Sequence, residues 1–187
     1  MEWKEIFDHE FKSALKSTAM DYLKMILTVV VILGFVLIFV ETRRIPTLSM
    51  HPTVTKGDIL VVSKIDKLFS KEFPYKRGDI VTIRIPKELK DILDYPGLLK
   101  RLIALEGDVF EVKEGHVWIN GEKVDEPYAD LADYEVSSYR VPEGRCIVLG
   151  DNRNDSLDST VFGAIAMDDI RGKVVYRIFP LFRFGRL

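Results

Sequence analysis

The sequence predicts a mainly β protein, an antiparallel β-sheet domain carried behind a single N-terminal transmembrane helix. Three observations carry that expectation. An uninterrupted apolar run, MILTVVVILGFVLIFV, fills Met25–Val40. From Gly57 onward the chain breaks into short Val- and Ile-rich segments punctuated by Gly, Pro and Asp, the pattern of strands and tight turns. The dipeptide Asn120-Gly121 within VWINGEKV marks a two-residue hairpin, because the turn that matches strand twist needs positive φ at both positions.

Residues 1–24 read as a cytoplasmic or interfacial helix: Trp3, Ile6, Phe7, Phe11 and Leu15 recur at helical spacing. Such a helix lies on the membrane, extends the anchor or packs on a partner. Residues 25–40 form the anchor. The run is about 24 Å long as a helix, and Tyr22, Leu23 and a snorkelling Lys24 bring it close to the roughly 30 Å of a hydrocarbon core. No face of it is polar, unlike a core helix, and ETRRIPTL follows it where a cleaved leader would end in small residues. Lys4, Lys12, Lys16 and Lys24 precede the span, while Arg43, Arg44 and Lys56 follow. That balance favours a cytoplasmic N-terminus and a single pass through the cell membrane. Residues 41–187 form the extracytoplasmic β-rich domain. Its expected strands are GDILVVSKI, GDIVTIRI, LLKRLIALEGD, VFEV, HVWIN, RCIVLGD and GKVVYRI. KEGH makes a second hairpin, and Pro86–Gly97 has room for one or two helical turns.

Composition excludes several functions. With a net charge of -2 over 187 residues, the chain lacks the basic excess of a nucleic-acid binder. Cys146 is the only cysteine, so no intramolecular disulfide forms, and it reads as a small buried apolar residue. His9, His51 and His116 are scattered, which leaves no Cys/His zinc site. The acidic loop after Leu149 fails as a calcium loop in both registers: counted from Asp151, Arg153 falls on a ligand position; counted from Asn152, Leu157 falls where glycine belongs. No metal or cofactor is expected. Oligomeric state is not legible.

LKRLIALEGD poses a chemical question. Strict alternation puts Lys100 on one face of a buried strand and Arg101 on the other, and a buried ammonium costs several kcal/mol unless it is paired or gives up its proton. Upstream, IPTLSMHPT holds Ser49 between Pro46 and Pro52, which exclude a regular helix. Downstream, GDNRNDSLDS concentrates polar side chains in one loop.

Ser49 in SMHPT, Lys100 in LKRLIALEGD, and GDNRNDSLDS occur in the order and approximate spacing of the type I signal peptidases, with the anchor just upstream, as it is there. KRGDIV at Lys76–Val81 and the terminal GKVVYRIFPLFRFG are also similar to that family, so the resemblance runs from Met25 to near the C-terminus. It implies a Ser/Lys dyad. Ser49 is the nucleophile and Lys100 the general base, made basic by its apolar surroundings. The resemblance further implies that Ser156 orients the lysine and that the Ser49 N–H and Thr47 hydroxyl form the oxyanion hole. Arg101, Asp151, Asn152, Arg153 and Asp158 form a supporting polar network, with Arg101 paired to Asp151 or Asp158. The resemblance also implies substrates that are signal-peptide-bearing pre-proteins cut after small-x-small (Ala-x-Ala) sequences. Ile45, Pro46 and Met50 match the family's pocket positions, and Leu98 and Leu99, which flank the motifs, are expected to line the substrate pocket with them. The partners are then pre-proteins and the lipid bilayer. Ser49 lies nine residues beyond Val40, so even an extended link holds it within about 30 Å of the anchor's end.

Three positions depart from the family's usual pattern. Thr160 stands where an arginine commonly pairs the aspartate, so Asp158 needs another cation, Arg153 or Arg101. Asn154-Asp155 reverses the commoner order. Glu106 replaces a proline before Gly107-Asp108. Two other readings remain at this stage: a histidine, His51 or His116, serving Ser49, and a tethered domain that binds partners without cleaving them.

Overall fold

A computed structural model gives the structure of residues 3–70, 72–85, 91 and 95–187, with only the backbone described over 3–13. The chain divides into two compact units between Phe39 and Val40. The first is one continuous helix, α1 (Trp3–Phe39). Its segment Ala14–Phe39 is long and apolar enough to cross a membrane, and apolar side chains such as Leu27, Val31 and Leu37 are exposed along it. The expected pattern of Trp3, Ile6, Phe7 and Phe11 falls on side chains outside the described set.

The second unit is built on two antiparallel sheets. The larger has the order β1 (Val40–Arg44), β2 (Ile59–Ser63), β11 (Ile170–Phe179), β3 (Ile80–Ile83), β4 (Leu98–Ala104), β9 (Arg145–Leu149) and β10 (Ile165–Ala166), with β12 (Gly185–Arg186) also paired to β11. The smaller has the order β7 (Glu122–Lys123), β6 (His116–Ile119), β5 (Val109–Lys113) and β8 (Val136–Arg140). Two short helices, α2 (Ile65–Phe69) and α3 (Ser159–Phe162), lie on the connections.

Each expected strand segment contains a strand. Both hairpin turns have the required backbone, with φ of 55° at Asn120 and 82° at Gly121, and 53° at Glu114 and 76° at Gly115. β1 was not expected: VETRR is too polar to read as a strand alone, and it forms because all five residues pair with β2. The helical turns expected within Pro86–Gly97 fall largely outside the described residues.

β4 positions the site. It is flanked by β3 and β9, with Val81 opposite Lys100 and both Ile80 and Leu149 opposite Arg101. Lys100 through Ala104 are all buried. On one side of this region Ile103, Phe110, Val117 and Leu149 pack together; elsewhere Val81, Leu102, Val148 and Ile170 form a second cluster, and Ile45, Met50, Val54, Leu60 and Val62 a third. Lys100 and Arg101 are thus largely withdrawn from water on a central strand, so a charge on either must be paired or neutral.

Candidate active site

Ser49 sits in a turn fixed by the His51 N–H donating to Leu48 O at 2.9 Å and the Val54 N–H donating to Met50 O at 2.8 Å. Met50 beneath it is 1% exposed. The loop after β9 holds this turn from the other side: the Asn152 N–H donates to Ser49 O at 3.2 Å, and Asn152 Nδ2 donates to Leu48 O at 3.4 Å. Two segments about a hundred residues apart are thereby locked together.

Lys100 Nζ lies 2.8 Å from Ser49 Oγ and 3.0 Å from Ser156 Oγ. Its side chain is 2% exposed. Burial pushes the amine down from its ordinary 10.5 to about 8, against the upward pull of Asp158, Asp151 and Asp155. The Thr47 and Ser49 hydroxyls are 3.5 Å apart, and among the described residues the Ser49 N–H has no hydrogen-bond acceptor. A free N–H and a hydroxyl therefore flank the Ser49 oxygen. Neither His51 nor His116 is a hydrogen-bond partner of Ser49 Oγ among the described residues.

Gly150 makes the approach of Ser156 possible. A Cβ at this position would collide with Ser156 Oγ and Ser49 O. Its N–H donates to Asp158 Oδ2 at 2.8 Å, which fixes the glycine against the start of α3. Gly150 immediately precedes Asp151, and nothing local in the sequence marks it as the residue on which Ser156 closes.

The charges behind the pair are sorted. Arg101 donates to both oxygens of Asp151 at 2.8 and 2.7 Å, and Asp151 is fully buried. The guanidinium also donates to Gly78 O at 2.7 Å and lies 3.7 Å from the centroid of the Tyr128 ring, a favourable cation–π position. Asp151 is thus the carboxylate that neutralises the charge beside Lys100 on β4.

Asp158 corrects an expectation. No cation pairs with it among the described residues. It accepts hydrogen bonds from the Gly150 N–H, the Thr160 N–H at 3.1 Å and the Thr160 hydroxyl at 2.9 Å. The threonine that replaces the usual arginine meets the aspartate with a hydroxyl, and the start of α3 supplies an N–H. Arg153, the other candidate cation, forks onto Glu126 at 2.9 and 2.7 Å and donates to Gly150 O at 3.0 Å. Glu126 and Tyr128 were invisible beforehand, since their partners lie over twenty residues away in sequence. Glu106 in the proline's place accepts from the Gly144 N–H at 2.7 Å.

A cleft of about 430 Å³ opens beside the pair, lined by β1, by Ile45–Ser49, by Tyr95–Lys100, and by Asp155 and Leu157. Of the five candidate pocket residues, Ile45, Pro46, Leu98 and Leu99 line it. Met50 does not; it is turned into the third apolar cluster. Among the described residues no group of His, Cys, Asp and Glu side chains could hold a metal ion. A serine hydroxyl, a buried amine of lowered basicity, a backbone N–H and a second hydroxyl beside that serine, and a groove with apolar walls together suit acyl transfer.

The sequence model of the family described as "Signal peptidase, peptidase S26" matches residues 19–179. A probable signal peptidase I-1 of Synechocystis sp. is 39% identical over 87% of this chain and 84% of its own length. A signal peptidase I of Leptolyngbya laminosa is 38% identical over 91% of this chain and 85% of its own. A crystal structure of a signal peptidase I from Enterococcus faecalis V583, 28% identical, covers 53% of this chain and 95% of that one with a TM-score of 0.45.

Proposed function

The chain belongs to the signal peptidase family, peptidase S26, and we propose that it removes signal peptides from exported pre-proteins through a Ser49–Lys100 dyad. Signal peptidase I is a serine protease, a hydrolase that acts on secreted pre-proteins.

The observation that carries the mechanism is the 2.8 Å contact between Ser49 Oγ and a lysine amine that is almost fully buried. Ser49 Oγ attacks the scissile carbonyl carbon while its proton passes to Lys100 Nζ. The carbonyl oxygen, now an oxyanion, accepts hydrogen bonds from the Ser49 N–H and the Thr47 hydroxyl. The Lys100 ammonium then protonates the departing amine, the C–N bond breaks, and an ester to Ser49 remains. Lys100, neutral again, takes a proton from water; the resulting attack on the ester frees the signal peptide as a carboxylic acid and returns the proton to Ser49. Ser156 positions the amine through its 3.0 Å contact. Arg101, Asp151, Asn152, Arg153 and Asp158 hold the surrounding loops. The apolar lining from Ile45, Pro46, Leu98 and Leu99 would receive small side chains at the first and third positions before the cut.

The span within Ala14–Phe39 anchors the chain by a single pass, with its N-terminus cytoplasmic and Val40 onward outside. The deciding experiment compares cleavage of a pre-protein by the full chain in detergent with that of Ser49→Ala and Lys100→Met. Only the unaltered protein should cut, and equal cleavage by all three would refute the dyad.

A further inference from the structure

The reversed Asn154-Asp155 pair has a structural consequence. Asn154 is committed to bracing the loop: its Nδ2 donates to Leu131 O at 3.0 Å, and its Oδ1 accepts from the Asp133 N–H at 2.9 Å. Asp155 is left at the cleft. It is exposed, it lines the same groove as Ser49 and Lys100, and it immediately precedes Ser156. Its backbone N–H donates to Asn152 O at 3.2 Å, which fixes the turn that carries it. Among the described residues its carboxylate has no hydrogen-bond or ion-pair partner.

The other charges around the site are mostly satisfied. Glu41 is held by Arg43 at 2.6 Å and Lys64 at 2.6 Å. Asp151 holds Arg101 and Glu126 holds Arg153. Asp158 is bound by N–H and hydroxyl donors. Arg44, the other cleft-lining charge without a partner among the described residues, is on β1, five residues before Ser49. Asp155, adjacent in the chain to Ser156, therefore presents an open carboxylate to a substrate in the cleft.

We propose that Asp155 is a specificity-determining residue that selects pre-proteins carrying a cationic side chain beside the cut. This rests on the dyad reading above, since it is the Ser49–Lys100 pair that locates the cut next to Asp155. A substrate lysine or arginine there gains a carboxylate partner in a groove with apolar walls, and a substrate glutamate meets like charge. Small residues are retained at the first and third positions before the cut, so the charge is read at the middle position between them or just after the cut.

The test uses the full chain in detergent and a series of otherwise identical pre-proteins. Each carries Lys, Gln or Glu at the middle position of the small-x-small segment, or at the first or second position after the cut. The measured quantity is the Lys-to-Glu ratio of kcat/KM, from which any general effect of a variant on Lys100 cancels. At low salt the unaltered protein should favour Lys at one or more of these positions by about three- to tenfold, shrinking as salt screens the pair. Asp155→Asn should bring that ratio close to one, and Asp155→Lys should invert it. A ratio unchanged in Asp155→Asn at every position, or no preference in the unaltered protein, overturns the inference. Failure of the dyad reading is separate: Ser49→Ala would then still cut the Gln substrates, whereas an inert Ser49→Ala with no charge preference refutes the role of Asp155 alone.

Discussion

Lys100→Met removes the amine while keeping a long unbranched side chain in the same apolar setting, and its effect on stability follows from the lysine's titration. The amine titrates near 10.5 when unfolded and near 8 in the folded protein, burial being the dominant cause. The difference, 10.5 − 8, corresponds to roughly 3 kcal/mol. Below pH 8 both states carry the proton and the folded protein bears the whole cost of the buried charge. Between pH 8 and 10.5 the unfolded chain holds a proton that the folded one has released, so stability rises with pH. Methionine has no such dependence. The variant should therefore gain up to roughly 3 kcal/mol over the unaltered protein at pH 6, a gain that disappears as pH climbs from 8 to 10.5. Loss of the contacts to Ser49 and Ser156 subtracts about 1 kcal/mol each, with no dependence on pH. For a domain of this size the pH-dependent part is about 6–12 °C in Tm. Thermal unfolding of the full chain in detergent at pH 6 and pH 10.5 measures it. A Tm difference between the two proteins that is the same at both pH values would refute a lysine forced toward neutrality by burial.

Other substitutions probe the support of the pair. Gly150→Ala should lower kcat by at least tenfold with little change in KM, because the added methyl displaces Ser156 and Ser49 O; peptide cleavage kinetics read this out, and an unaltered kcat would remove Gly150 from the argument. Thr47→Val should cost on the order of a hundredfold in kcat if its hydroxyl holds the oxyanion, and a variant as fast as the unaltered enzyme would leave the Ser49 N–H without that partner. Asp151→Asn leaves the Arg101 charge without its counter-ion and should destabilise the fold by about 3–5 kcal/mol, seen as a lower Tm.

How much was readable beforehand depended on whether the physics was local. Strands such as the one holding Lys100 announce themselves through a contiguous apolar run, and the two hairpins through residues able to take positive φ. The apolar neighbours of Lys100 are visible in its own strand and leave two readings, a paired ammonium or a neutral amine; the choice of a neutral base comes from the family resemblance. VETRR was not legible, because its strand exists only by pairing with Ile59–Ser63. The partner of Asp158 was misjudged for a similar reason. A missing arginine suggested a search for another cation, whereas the fold supplied the Gly150 and Thr160 N–H groups and the replacement threonine's own hydroxyl. Glu126 and Tyr128, which settle Arg153 and Arg101, carry no local signal that distinguishes them from any surface acid or tyrosine. Met50 was placed in the substrate pocket by its neighbour Ser49; the turn at Leu48–His51 sends its side chain into the core instead.

The most direct measurement of the central claim is the pH dependence of kcat/KM for an uncharged peptide substrate. With Lys100 titrating near 8, activity should rise about tenfold from pH 7 to pH 9, with its half-point near 8. A rise of about a hundredfold over that interval, still climbing toward 10.5, would describe an ordinary solvated lysine; that result, or a profile flat across the interval, would contradict it.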